Sequence, residues 1–417
     1  MDAYELISFI IFLSALFAYI NTRFIKWPPT IGIMAVTLIF SVLIVLSGNV
    51  YPRLYFNIIK NVSAINFQKV MLDILLSFLL FAGAIRINFS ELKKVRIAVI
   101  TLSSLGIIIS TAIIGFFTWL LFQLFNFQIP FIYCLLFGAL ISPTDPIAVL
   151  GILKEARIPK SLELKIAGES LFNDGIAVVL FIGIAEIAQN GIEELSAGDV
   201  GWLFLREAGG GILFGFLLGY LGLWAIKTIN DYKVEVFITL AIVMAGYSMA
   251  RALHVSGPLA VVIAGIITGN KGKEIAMSDV TKDYLGKFWE LIDEILNSIL
   301  FLLIGLEMLL IKSYGILLLI STVCIVLVLL ARYIAVSLPA FLLKAFVDVD
   351  HKTLAILTWG GLRGGVSVAL ALSLPRDMHH EEFVLITYTT VVFSILVQGL
   401  TVGKFARQLM KGKKQKA

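Results

Sequence analysis

Apolar residues run through this chain in long blocks, and polar residues are confined to the gaps between them. Read against proline, glycine and charge punctuation, the pattern predicts thirteen helical spans: about 5 to 23, 29 to 48, 69 to 87, 97 to 124, 130 to 153, 164 to 187, 202 to 226, 234 to 251, 256 to 270, 295 to 311, 314 to 343, 353 to 374 and 383 to 407. Most are long enough to cross a hydrocarbon core of about 30 Å. The expected fold class is therefore an all-α polytopic membrane protein. Segment 273–294 is more polar and amphipathic and reads as an interfacial linker helix. Met1 to Glu5 has no basic stretch, so the first apolar block is expected to stay in place as a helix.

Charge tests the span count, because cytoplasmic loops carry the excess of Lys and Arg. Loops after odd-numbered spans hold 24 of the 33 basic residues, among them Lys93, Lys154, Lys271, Lys344 and the tail lysines. Arg53, Lys60, Lys69, Arg206, Arg251, Lys312 and Arg376 fall on the other side. A one-span error would scramble this alternation. The N-terminus is expected outside and the basic tail, 408–417, in the cytoplasm of a cell membrane. With 59% hydrophobic and only 15% charged residues, a soluble globular class is excluded. The net charge of +5 sits in short loops, where it sets topology, so no nucleic-acid partner is expected. Cys134 and Cys324 both lie in apolar blocks and offer neither a disulfide framework nor a cysteine metal site.

The two remaining basic residues, Arg332 and Arg363, lie inside spans, where charge is costly and marks pairing or function. Span five carries Ser142-Pro143-Thr144-Asp145-Pro146. Two prolines three apart remove backbone donors and should interrupt the helix at membrane depth, tolerable only beside protein or a wet cavity. Asp145 would then sit at a fresh helix N-terminus, and the freed carbonyl of Thr144 could face a cation. A plain proline kink with an Asp cap is the bland alternative.

Span six carries Gly168-Glu169-Ser170-Leu171-Phe172-Asn173-Asp174-Gly175. Helical spacing puts Ser170, Asn173 and Asp174 on one face, so a hydroxyl, an amide oxygen and a carboxylate converge within about one turn. Such oxygens suit a hard cation, and one carboxylate can hold either that cation or a proton. A buried polar network that locks helices together would explain the same residues, but carboxylates in lipid are an expensive packing device. Span twelve carries Gly360-Gly361-Leu362-Arg363-Gly364-Gly365, where four glycines around one arginine weaken the helix and point to a second interruption, a glycine packing surface with a snorkelling Arg363 being the bland alternative. Two interrupted helices in opposite halves are the sequence pointer to an inverted-repeat transporter. Glu169 is the natural partner for Arg332, with Arg363 the alternative, which leaves Asp174 free to exchange ligands. Asp73, Glu186 and Glu307 lack clustered partners and read as structural or vestibule residues; His254, His351, His379 and His380 read as helix-end or loop residues.

These three motifs, in this order, closely resemble those of the NhaP-type sodium/proton antiporters and their animal NHE relatives, along essentially the whole chain. The resemblance implies the NhaA-like antiporter fold with inverted repeats and two crossed, unwound helices. It also implies a homodimer built from a core domain (about 69–187 and 295–407, less some scaffold helices) and a dimerisation domain (about 1–48 and 202–270). Asp174 is the implied ion-binding aspartate, with Asn173 beside it, Ser170 as a further ligand and Thr144 near the unwound segment. Na+ would thus be held at Asp174, Ser170 and Thr144. Glu169, Arg332 and Arg363 are the implied charge-pairing residues, and Asp145 the aspartate of the unwound helix. An Asn-Asp pair accompanies electroneutral exchange in such relatives. One departure is that Phe81-Ala82-Gly83 stands where several NhaP-type members carry an acid.

The expected activity is exchange of Na+ or Li+ for H+ by alternating access, with no cofactor and no enzymatic chemistry; K+/H+ exchange is the alternative. A channel lacks support because no selectivity-filter loop or charged ring is present, and an intramembrane protease lacks support because Asp145 and Asp174 have the wrong sequence context.

Overall fold

The computed structural model describes residues 3–48, 50–63, 65–145, 147–156, 158–190, 197–311, 315–342 and 349–411. Pro146, Arg157, Lys312, Lys344, the ends of the eleventh expected span and the tail beyond 411 lie outside the described residues. The described chain is helical, without a strand. Nine of its helical stretches are long and apolar enough to cross a membrane unaided: Tyr4–Ile25, Pro29–Ser47, Phe67–Ala84, Phe89–Leu124, Lys160–Gln189, Gly201–Lys227, Tyr232–Ala252, Gly315–Leu342 and His380–Met410.

The other four expected spans take different forms. The fifth is broken into Phe131–Ile141 and Ile147–Glu155, and the twelfth into His351–Trp359 and Gly365–Leu372. The ninth is a short helix, Gly257–Ile267, that widens into a π-turn at Thr268–Gly272. The tenth corrects the sequence reading, since linker and span are not separate elements. One helix runs Asp279–Glu307, capped by Ser278, whose hydroxyl accepts from the Thr281 N–H at 3.2 Å. Its polar first half and apolar second half fit one uninterrupted backbone, because no glycine pair or proline stops it. The polar stretch after span two also holds an amphipathic helix, Pro52–Ser63.

Two packing bodies position the site. In the larger, Phe89–Leu124 lies against Phe131–Ile141, Lys160–Asn190 and Gly315–Leu342. Phe137 and Phe383 stack there with centroids 5.5 Å apart. In the other, Phe81, Ala82 and Ile85 of the third span pack with Ile242, Ala264 and Trp289. Trp289 is anchored by a 3.0 Å bond from its Nε1 to Thr239 Oγ1. Gly210–Lys227 lies so close to Gly257–Ile267 that a Cβ on Gly215 would stand 2.6 Å from the Ala260 carbonyl. Between helices in lipid, such close backbone approach replaces the hydrophobic effect as a source of attraction. Outward faces carry large apolar side chains, Leu213, Phe237 and Trp224 among them.

Gly215→Ala is expected to destabilise by about 1 to 3 kcal/mol through overpacking. Gly286→Ala, which meets nothing within 4 Å, should be neutral or stabilising by up to about 1 kcal/mol. Thermal melting in detergent separates the two; equal melting temperatures would contradict the close packing.

Candidate functional site

The two breaks meet at the centre of the larger body. Past Ile141, the Ser142 N–H still reaches the Gly138 carbonyl at 3.1 Å, and the helical ladder then stops. The Asp145 N–H donates instead to the Leu362 carbonyl of the second break, at 2.8 Å. Arg363, only 2% exposed, returns the contact: its Nη1 donates to the carbonyls of Ser142, at 2.8 Å, and Pro143, at 3.1 Å. Each break thus supplies partners that the other has lost. Gly364 is needed for this approach, since a Cβ there would stand 2.2 Å from Asp145 Oδ2.

Side chains from span six close over the first break. Ser170 Oγ donates to the Thr144 carbonyl, and Asn173 Nδ2 donates to Thr144 Oγ1 at 2.9 Å. Asn173 Oδ1 is buried with no hydrogen-bond partner among the described residues. Asp174 follows on the same helix, half-buried on the wall of a cavity of about 1040 Å³. Asp145 and Ser170 line that cavity too, and so do Arg86, Lys154 and Lys160, which belong to the basic loops. No salt bridge among the described residues reaches Asp174. Buried hydroxyl, amide and carbonyl oxygens thus stand close in the fold to the Asp174 and Asp145 carboxylates on the cavity, a set of groups suited to a small monovalent cation or a proton.

Glu169 and Arg332, 1% and 5% exposed, form a two-pronged ion pair through Nη1 to Oε1 and Nη2 to Oε2, the second at 3.0 Å. Arg332 also donates from Nε and Nη2 to the Leu357 carbonyl, at 3.3 and 3.2 Å. The fork geometry satisfies both carboxylate oxygens, which makes so deep a pair tolerable. Glu169 is thereby occupied with Arg332, whereas Arg363 serves backbone carbonyls.

The residues read as structural lie apart from this cluster. Asp73 pairs with Arg251. Glu307 is 5% exposed at the end of its helix. His254 and His379 take positive φ at helix ends, 53° and 54°. Sequence reasoning missed the second layer. The Ser142 hydroxyl donates to Ser110 Oγ at 2.9 Å and accepts from Thr111 Oγ1 at 3.4 Å. Ser394 Oγ accepts from the Arg363 N–H at 2.9 Å. Their signal was available as hydroxyls inside apolar spans, where polar groups seek partners.

What the fold and the cluster define is a polytopic helical membrane protein with two broken helices joined at a buried polar cluster. The sequence profile described as "Sodium/hydrogen exchanger, transmembrane" matches residues 12–408. A Na(+)/H(+) antiporter NhaP of Pseudomonas aeruginosa is 46% identical over 413 residues, 98% of this chain and 97% of that one. The Na(+)/H(+) antiporter NhaH of Halobacillus dabanensis is 36% identical over 350 residues, 82% of this chain and 84% of its own length. The sodium proton antiporter MjNhaP1 of Methanocaldococcus jannaschii shares the fold, with a TM-score of 0.76 over 98% of this chain and 99% of that one, at 21% identity. The chain belongs to the sodium/hydrogen exchanger family.

Deleting either partner of the buried ion pair is expected to cost about 3 to 5 kcal/mol, because the other charge is left unpaired. In melting experiments the Glu169→Ala/Arg332→Ala double variant should be more stable than the sum of the single losses predicts. Simple additivity would contradict direct pairing.

Proposed function

We propose that the protein is a secondary antiporter exchanging Na+ or Li+ for H+, with the two ions competing for Asp174. The observation that carries this reading is the placement of one carboxylate, unpaired by any Lys, Arg or His among the described residues, at the head of a wide cavity beside the Thr144, Ser170 and Asn173 oxygens. Cation arrival displaces the proton, and proton return displaces the cation. Each loaded form carries the site to the opposite side by movement of the core against the scaffold. Na+ is preferred to K+ as substrate because the relatives matched above are named for Na+.

The moving core comprises the broken helices with Phe89–Leu124, Lys160–Asn190, Gly315–Leu342 and His380–Phe393. The third span, first grouped with the core, goes with the scaffold, because it packs on Gly257–Ile267 and Asp279–Glu307. The scaffold's apolar outer faces would pair two copies into a homodimer in the cell membrane, with the N-terminus outside and the C-terminus cytoplasmic. The cavity then opens to the cytoplasm, since basic-loop residues line it.

Purified protein in proteoliposomes with a pH dye should show Na+- and Li+-driven proton flux that Asp174→Asn abolishes while the variant still inserts. Flux retained by that variant would contradict the assignment. Exchange should also be electroneutral, since Asp174 sits beside the neutral Asn173 and the Glu169 charge is held by Arg332. An imposed membrane potential should leave rate and direction unchanged, because no net charge crosses the field. A strong potential dependence would show that a second group titrates.

A further inference from the structure

The last span is not a plain helix. It opens into a π-turn at Ser394–Gln398, where the Gly399 N–H bonds the Ser394 carbonyl five residues back. π-turns inside α-helices are frequent at functional sites. The turn brings two buried polar side chains to bear on the second break: Ser394, 1% exposed, and Gln398, 2% exposed. Ser394 Oγ accepts from the Arg363 N–H at 2.9 Å and donates to Gln398 Oε1 at 2.8 Å. Gln398 Nε2 donates to the Trp359 carbonyl, also at 2.9 Å. Trp359 ends one half-helix, Arg363 lies just before the other begins, and one hydrogen-bonded pair grips both sides of the gap.

We propose that Ser394 and Gln398 are positioning residues that set cation affinity by fixing the second break. The route is continuous and rests on the exchange reading above. The pair holds Trp359 and Arg363. Between them, Leu362 receives the Asp145 N–H, and Arg363 holds the carbonyls of Ser142 and Pro143. Thr144, whose oxygens meet Ser170 and Asn173, lies between these fixed points. Loosening the pair shifts the Thr144 oxygens relative to Asp174 without touching any group that meets the ion. Other members of this π-turn are apolar, so the polar pair is not a general hydration feature of the helix.

The test is the apparent KM for Na+ in proteoliposomes, together with the Na+-induced rise in melting temperature. Ser394→Ala and Gln398→Leu should each raise KM about tenfold, the worth of one buried hydrogen bond. The melting shift at a fixed Na+ concentration should shrink in parallel, and Ser394→Thr, which keeps the hydroxyl, should restore both. A merely structural role would lower the melting temperature or the maximal rate and leave KM unchanged, and that result would overturn the proposal. Ser394→Ala removes one atom and remains decisive if Gln398→Leu cannot be purified. Wild-type protein without Na+-driven proton flux would sink the exchange reading itself, whereas wild-type flux with unchanged KM in the variants sinks only the positioning role.

Discussion

A helix broken inside hydrocarbon exposes backbone N–H and C=O groups to a medium that offers them nothing, at several kcal/mol per group. The rest of this structure is arranged around that constraint. The two breaks answer it mutually, the Asp145 N–H going to Leu362 and the Arg363 guanidinium to Ser142 and Pro143. Neighbouring helices complete the repair with side chains: Ser170 donates to the Thr144 carbonyl, Ser394 accepts from the Arg363 N–H and Gln398 donates to the Trp359 carbonyl. Both Thr144 oxygens are met from span six, the carbonyl by Ser170 Oγ and the hydroxyl by Asn173 Nδ2, and in the proposed exchange a cation would compete for them.

Charge follows the same logic. A membrane interior punishes any ion without a partner, so fixed and exchangeable charges must be kept apart. Arg332 takes both oxygens of Glu169 and adds a carbonyl, which holds that acid in place. Arg363 turns its Nη1 to backbone carbonyls and forms no salt bridge with Asp174 among the described residues. Glu169 and Asp174 lie five residues apart on one helix, yet one is immobilised and the other faces a cavity. Their surroundings, not their residue type, assign the roles.

Much of this was legible in the sequence, and the reason is physical. Prolines at 143 and 146 and glycines around Arg363 are statements about backbone, which local sequence controls, so both interruptions could be read directly. Glu169 and Arg332 could be paired in advance because few intramembrane charges were available to choose from. What escaped was set by tertiary contact. Nothing local says that the amphipathic segment after Met277 continues without a break into the next apolar block, since a change in polarity along a helix does not end it. The π-turn at Ser394 depends on one extra residue accommodated against the second break, and a 3.6-residue pattern carries no mark of it. The third span reads like any core helix until its partners, Trp289 and Ala264, are known.

The asymmetry around Asp174 bears on how the proposed movement is made affordable. On one side lies the wide cavity; on the other, Leu259 of the scaffold presses on span six so closely that a Cβ on Gly175 would stand 2.6 Å from its side chain. Around that contact lie Val179, Ala208 and Phe172, all apolar atoms at the point of closure. Apolar surfaces can part and become wet at about 25 cal/mol per Å², a graded cost with no stranded charge. Parting a buried ion pair would instead cost several kcal/mol at one stroke. The demanding polar contacts, Glu169 with Arg332 and break with break, all lie within the moving body, and the seal beside Asp174 is hydrocarbon. In the proposed movement, such a division would let the site change sides while Glu169 keeps Arg332.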